Sequence, residues 1–338
     1  MIKAAIAGAT GYTGGEVIRL LLNHPDVEII SAFSTSNMGI PISIIHRDLI
    51  GETDLLFSKE VGTPDIIFLC LGHGLSKAFL DEHPLPEQCK IVDLGNDFRL
   101  EPEYYDNHNR TKKRFIYGLA DVFTEEIKKA QYIANPGCFA TAIQSAIVPL
   151  ATKGLIRDDI HVNAITGTTG AGKKLSETNN FSYRNNNISV YKPFTHQHLG
   201  EMYRTLSLLC GDFSKQINFV PMRGDFTRGI FASIYTKWDD CNLPEKERQK
   251  AQFEAIQLFK EYYKDSPFTF ISDEPISLKE VINTNKCLLH IEFHNGYIHI
   301  TSVIDNLIKG AAGQAIENMN LLFGLERTAG LKLKPSSF

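Results

Sequence analysis

The chain of 338 residues reads as a doubly wound α/β domain followed by an α+β domain with a mixed or antiparallel sheet. Three observations predict this. Strand-like and helix-like runs alternate from the first residues; a glycine-rich turn joins the first strand to the first helix; and two alternating strands flank Asn295-Gly296 late in the chain. The length exceeds one ordinary core and fits two domains of roughly 150 residues.

The first element is an apolar strand at 2–7, followed by a helix at 14–23 and a strand at 27–33, which together make a βαβ unit. Apolar runs at 65–71 and 90–94, with a helix at 75–83 after the first, continue a parallel sheet. From Cys138 the pattern changes. A helical run reaches residue 153, a strand covers 161–166, and a polar glycine-rich loop follows at 167–173. Later come a strand at 230–236, a long polar helix over 244–263, and strands at 288–294 and 297–303, with Asn-Gly between the last two predicting a type I′ hairpin. The last periodic run, 307–323, reads as a helix.

Hydrophobic residues at 43% and charged residues at 22% describe an ordinary globular protein. A net charge of -4 gives no basic excess to neutralise a phosphate backbone, which argues against nucleic acid as a partner. No apolar run approaches the roughly 18 to 20 residues that cross a bilayer, and no leader pattern opens the chain, so no membrane partner and a cytoplasmic setting are expected. The cysteines at 70, 89, 138, 210, 241 and 287 lack metal-ligand spacing, so neither a metal nor a disulfide framework is expected.

The turn Gly8-Ala9-Thr10-Gly11-Tyr12-Thr13-Gly14 follows the first strand and opens the first helix. Glycines there permit a tight turn and let backbone amides approach a pyrophosphate, the mark of a Rossmann dinucleotide site. After the second strand, where a carboxylate commonly holds an NAD ribose, stand Ser34, Thr35, Ser36 and Asn37, so NADP is favoured. Cys138 follows a short strand and opens a helix, whose N-terminus favours the thiolate. His196 and His198 precede another helical run, and Glu201, three residues beyond His198, is placed to orient an imidazole. Arg99 follows a strand and suits a carboxylate or phosphate, as does Arg228. The loop from Gly167 to Lys174 offers successive amides, hydroxyls and a positive charge. Asn135, in the segment leading to Cys138, joins Arg99, Gly167, Glu201 and Arg228 as a candidate substrate-binding residue.

The series GATGYTGGE from Gly8, DLGNDFRL at 93–100, YGLAD at 117–121, ANPGCFAT at 134–141, TGTTGAGKK at 166–174, HQHLGEM at 196–202 and SVIDNLIKGAAGQAIENMN at 302–320 resembles the N-acetyl-gamma-glutamyl-phosphate reductases. That family belongs with the aspartate-semialdehyde dehydrogenases. The resemblance implies NADPH-dependent reduction of an acyl phosphate in arginine biosynthesis, with Cys138 as acylated nucleophile and either His198 or His196 as acid/base, His198 being the first choice. It further implies that the segment from Asp305, including Asn306, returns beside the cofactor. A domain of 1–137 would then be completed by 305–338, leaving 138–304 for catalysis, substrate binding and assembly into a homodimer or homotetramer. Gly95, Asn96, Thr166, Thr169 and Gln197 depart from the family pattern, as does Met222-Arg223 where His-Leu is usual. These departures leave the N-acyl group open between acetyl and succinyl. Other readings are an aspartate-semialdehyde or aminoadipyl-phosphate reductase and, in another class, a non-catalytic NADP-binding regulator.

Overall fold

The structure, a computed structural model, describes residues 1–238 and 242–336, so Cys241 lies outside the described residues. The chain divides into two compact units. Met1–Gly137 with Ala311–Lys332 form the first, and Cys138–Gly310 with the described residues from Leu333 form the second.

The first unit is built on a parallel sheet with strands in the order Phe57–Ser58, Val27–Phe33, Ile2–Ala7, Ile66–Leu69, Lys90–Asp93, Tyr132–Ala134 and Ile116–Tyr117. Its central strands bury both faces, which is why Ala4 to Ala7 and Ile66 to Leu69 read as unbroken apolar runs. The strand Ile2–Ala7 lies between the second strand and Ile66–Leu69, so the strand order reverses at its carboxyl end. Open α/β sheets bind ligands at such a reversal.

The helix Gly313–Phe323 belongs to this unit and buries nearly every position, including Gln314, Glu317, Asn318 and Asn320. Most of these polar groups are matched within the unit: the Ala120 amide donates to Gln314 Oε1, and Asn318 Nδ2 donates to the Gly118 carbonyl at 2.8 Å. Arg327 bridges Glu317 and Asp121, and the His24 imidazole meets Asn320 Oδ1 at 2.9 Å. Sequence periodicity predicts one helix over 307–323, but Ile308–Ala312 forms a π turn first. Asp305 is the physical reason: its carboxylate accepts from the Leu307 and Ile308 amides, and its carbonyl accepts from Gly310 N–H at 2.9 Å, an i to i+5 bond.

The second unit holds a mixed sheet in the order Ser189–Val190, Ile217–Arg223, Ile160–Thr166, Ile230–Lys237, Tyr297–Ile304, Cys287–His294 and Thr269–Ser272. The strands Ile160–Thr166 and Ile217–Arg223 run parallel, whereas Ile230–Lys237 and the hairpin run antiparallel. Asn295 and Gly296 both take positive φ, 49° and 79°, as a type I′ turn requires. The helices Cys138–Ala151, His198–Cys210 and Glu245–Tyr262 contribute Phe139, Ile143, Met202 and Phe259 to one core with Ile160, Val162, Phe219 and Ile300 of the sheet. Among the described residues, no helix is long and apolar enough to cross a membrane.

Candidate active site

At the reversal point of the first unit the glycine turn has little freedom. Gly8 sits at φ +76°, and a side-chain carbon there would meet the Cys70 carbonyl oxygen at 2.3 Å; one on Gly14 would meet the Gly8 oxygen at 2.5 Å. Gly11 caps the helix Tyr12–Leu21 without any side-chain bond, and no acid occupies its first turn. Amides of Tyr12, Thr13 and their neighbours are therefore presented without a competing side chain, a seat that fits a pyrophosphate. Thr10 is half-buried in the same turn. Beyond the second strand, Asn37 Nδ2 donates to Ser34 Oγ at 3.2 Å and Ser36 Oγ at 2.8 Å. Hydroxyls and an amide without a carboxylate fit a ribose 2′-phosphate, and so NADP.

In the second unit Cys138 is the first residue of its helix, and the next residue, Phe139, carries its ring edge-on to His196 at 5.5 Å and His198 at 6.2 Å between centroids. Both imidazoles are buried, as is Glu201. His196 Nδ1 accepts the His198 backbone N–H at 3.2 Å, so this side chain caps the helix His198–Cys210. Burial, then the charges of Lys192 and Arg223, hold the His196 pKa down at about 4. His196 is accordingly a neutral acceptor at neutral pH. His198 Nε2 instead lies 3.9 Å from Glu201 Oε1, the carboxylate three residues along its helix.

Three candidates play parts different from those their sequence positions predict. Arg99 is 4% exposed; its Nε donates to the Asn135 carbonyl at 2.9 Å and an Nη to the Leu94 carbonyl at 3.0 Å. Asn135 Nδ2 donates to the Ala311 carbonyl, and its Oδ1 accepts from Asn318 Nδ2 at 3.0 Å. Both residues brace the segment leading to Cys138. The amides of Gly167, Thr168 and Thr169 are not offered to an anion, because they donate to the carbonyls of Gly229, Phe226 and Thr227. Gly167 is required by that close approach: a side-chain carbon would meet the Thr227 oxygen at 2.5 Å.

Arg228 Nε lies 3.2 Å from the fully buried Asp305 carboxylate, which matches its charge. Asn306 accepts from Gly229 N–H at 2.7 Å and donates to Thr169 Oγ1 at 3.0 Å, bracing the same loop.

Sequence reading missed Tyr191. Its ring lies 5.7 Å from that of His196, and burial, followed by the charge of Cys138, pushes its hydroxyl pKa well up. Lys192 and the Arg223 guanidinium stand in the same neighbourhood. No spacing signal exposes Tyr191, since it sits on irregular chain. Among the described residues no group of His, Cys, Asp and Glu is arranged to hold a metal ion.

Comparisons with known proteins identify the family and the fold. The family profile described as semialdehyde dehydrogenase, NAD binding domain, matches residues 3–130, and that described as semialdehyde dehydrogenase, dimerisation domain, matches 138–306. Proteins named N-acetyl-gamma-glutamyl-phosphate reductase are similar over the full length of both chains: 51% identical in Parabacteroides distasonis and 50% in Christiangramia forsetii. Among solved structures, aspartate semialdehyde dehydrogenase II of Vibrio cholerae with ASA superposes with a TM-score of 0.69 at 15% identity, covering 96% of this chain and 98% of that one. The Candida albicans enzyme with NADP gives 0.67 at 16% identity and the same coverages. At these identities the two structures speak for the fold.

Proposed function

The chain belongs to the semialdehyde dehydrogenase family, among its N-acetyl-gamma-glutamyl-phosphate reductases, and from that premise we propose that it reduces an N-acyl-gamma-glutamyl phosphate to the N-acyl-glutamate 5-semialdehyde and inorganic phosphate, a step of arginine biosynthesis. The observation that carries the chemistry is the placement of Cys138 at a helix N-terminus, with Phe139 against the buried pair His196 and His198.

The helix dipole favours the Cys138 thiolate, which attacks the γ-carbonyl carbon. The C–O bond to phosphate breaks and a thioester remains on the sulfur, so one difficult displacement becomes two easier steps. NADPH, when bound, supplies the hydride that reduces this thioester. His198, facing Glu201, donates a proton to the resulting alkoxide; as the C–S bond breaks it recovers that proton, the aldehyde leaves and the thiolate returns. The glycine turn at Gly8, Gly11 and Gly14, the residues Thr10, Tyr12 and Thr13, and Ser34 with Ser36 would hold the dinucleotide through backbone amides and hydroxyls. Arg99 and Asn135 hold the nucleophile segment, while Gly167, Arg228 and Asn306 form a rigid wall of the second unit.

We further infer assembly as a homodimer or homotetramer through the mixed sheet. In the strand Ile230–Lys237, Ile230, Ala232 and Ile234 are buried while Phe231, Ser233 and Tyr235 are only half-covered. A half-covered face beside a formed core supports a second copy as its cover.

The test is phosphate-dependent reduction of NADP by N-acetyl-glutamate 5-semialdehyde. Wild-type protein turns over, and Cys138→Ser abolishes turnover while NADPH still binds. Substantial activity in a clean Cys138→Ser preparation defeats the thioester route.

A further inference from the structure

Two arginines of the second unit stand outside the steps above, Arg184 buried and Arg223 half-buried. Arg184 is 5% exposed; its Nη1 donates to the Arg223 carbonyl at 2.8 Å and its Nη2 to Ser189 Oγ at 2.7 Å. The Nε atoms of Arg184 and Arg223 are both buried and meet no protein acceptor. The Arg223 guanidinium lies 4.7 Å from the Tyr191 ring centroid. Neither cation is ion-paired with a carboxylate among the described residues.

The contrast with the other two arginines is physical. Arg99 gives its Nε and one Nη to backbone carbonyls, and Arg228 is ion-paired with Asp305. A guanidinium whose Nε is held away from water with no acceptor or anion beside it is costly to keep, so one that stands next to reactive groups marks a place where an anion arrives. The surroundings fix which reactive groups those are. Arg223 lies close enough to His196 to depress its basicity, and Tyr191, on which Arg223 packs, feels the charge of Cys138.

Resting on the reductase reading, we propose that Arg223, held by Arg184 and Tyr191, is the anion anchor of this site and takes a carboxylate of the substrate. That carboxylate is either the α-carboxylate of the glutamyl portion or one ending its N-acyl group. The phosphoryl group departs in the first half of the reaction, so an anchor bound to it would lose the thioester before hydride transfer. A carboxylate stays through both halves and keeps the carbonyl positioned. The planar fork of arginine suits bidentate carboxylate binding, and the contact with the Tyr191 ring helps to hold the guanidinium in place.

The experiment measures kcat and KM in the oxidative direction for wild type, Arg223→Gln and Arg223→Lys. Three aldehydes are compared: N-acetyl-glutamate 5-semialdehyde, its α-carboxamide counterpart and N-succinyl-glutamate 5-semialdehyde. Arg223→Gln raises the KM of a carboxylate-bearing aldehyde by about 30-fold or more, Arg223→Lys recovers part of the loss, and the KM values for NADP and phosphate stay put. If the α-carboxylate is the ligand, the penalty seen with the N-acetyl substrate disappears on its carboxamide. If the acyl group supplies the carboxylate, the penalty falls on the N-succinyl substrate alone.

The proposal is overturned by an unchanged aldehyde KM for all three, by an equal penalty on all three, or by a raised phosphate KM alone. Arg223→Lys keeps a cation over Tyr191 and reads the same comparison should Arg223→Gln lose its fold. Wild-type protein inactive on every aldehyde would remove the reductase reading and this inference with it, whereas an active wild type with indifferent variants removes only the inference.

Discussion

Gly310 lies directly against Cys138: a carbon added to it would stand 2.8 Å from the cysteine Cβ and 3.2 Å from its Cα. The two residues are 172 apart in sequence, and the π turn Ile308–Ala312 brings them together. Gly310→Ala therefore displaces the first turn of the Cys138 helix. Overpacking of this kind costs about 1–3 kcal/mol, and the greater loss is expected in kcat, since the sulfur itself moves. Calorimetric melting with single-turnover kinetics checks this; normal kcat would show that the turn yields instead.

Gly14→Ala should act on the cofactor alone. Its new methyl meets the Gly8 carbonyl oxygen at 2.5 Å and pushes the turn open. NADPH affinity, followed by fluorescence titration, is expected to fall at least tenfold, whereas iodoacetamide modifies Cys138 at an unchanged rate. Unaltered NADPH binding would remove the turn from the cofactor site.

His196 carries a signature in the pH dependence of stability. The folded His196 pKa, about 4, lies below the ordinary imidazole value of 6.5, so between these values the unfolded chain binds the extra proton. Stability from the neutral His196 is complete above about pH 6.5 and drains away as pH falls toward 4, by up to about 3 kcal/mol. Urea unfolding at pH 7 and pH 5 should show this slope in wild type and a flatter one in His196→Asn. An identical slope in both proteins would mean that His196 titrates as it does in water.

His198→Asn, by contrast, should lower kcat by roughly 100-fold or more while leaving the NADPH dissociation constant within about twofold. Should His196→Asn prove the more damaging to kcat at pH 7.5, the acid/base assignment belongs to His196.

Arg327 bridges the buried carboxylates of Glu317 and Asp121. Arg327→Met leaves two buried acids facing each other without a cation and should cost about 3–5 kcal/mol of stability. Adding Glu317→Gln to it should restore part of the loss. Additive losses in that double variant, read from chemical denaturation, would contradict a shared network.

Much of the fold was legible because its signals are local. The glycine turn at Gly8 to Gly14, the helix opening at Cys138 and the Asn295-Gly296 hairpin each depend on residues within one turn or one strand pair, so composition and spacing suffice. Ile308–Ala312 was misread as ordinary helix because the π turn arises from Asp305, whose carboxylate also accepts the Asn283 amide. Such a bond to distant chain leaves no trace in periodicity.

The sequence by itself determined the two-part architecture, the candidate nucleophile and the candidate pair of imidazoles, because backbone geometry and side-chain chemistry at those points are short-range properties. Only the tertiary structure decided what each cation does. Arg99 turns inward to Asn135, Arg228 meets Asp305 across 77 residues, and Arg223 comes to rest on Tyr191 through the strand register that pairs Val190 with Met222. An arginine carries the same charge wherever it stands. Whether that charge is spent on the fold or kept for a ligand depends on which carbonyls and carboxylates the folded chain brings within hydrogen-bonding reach.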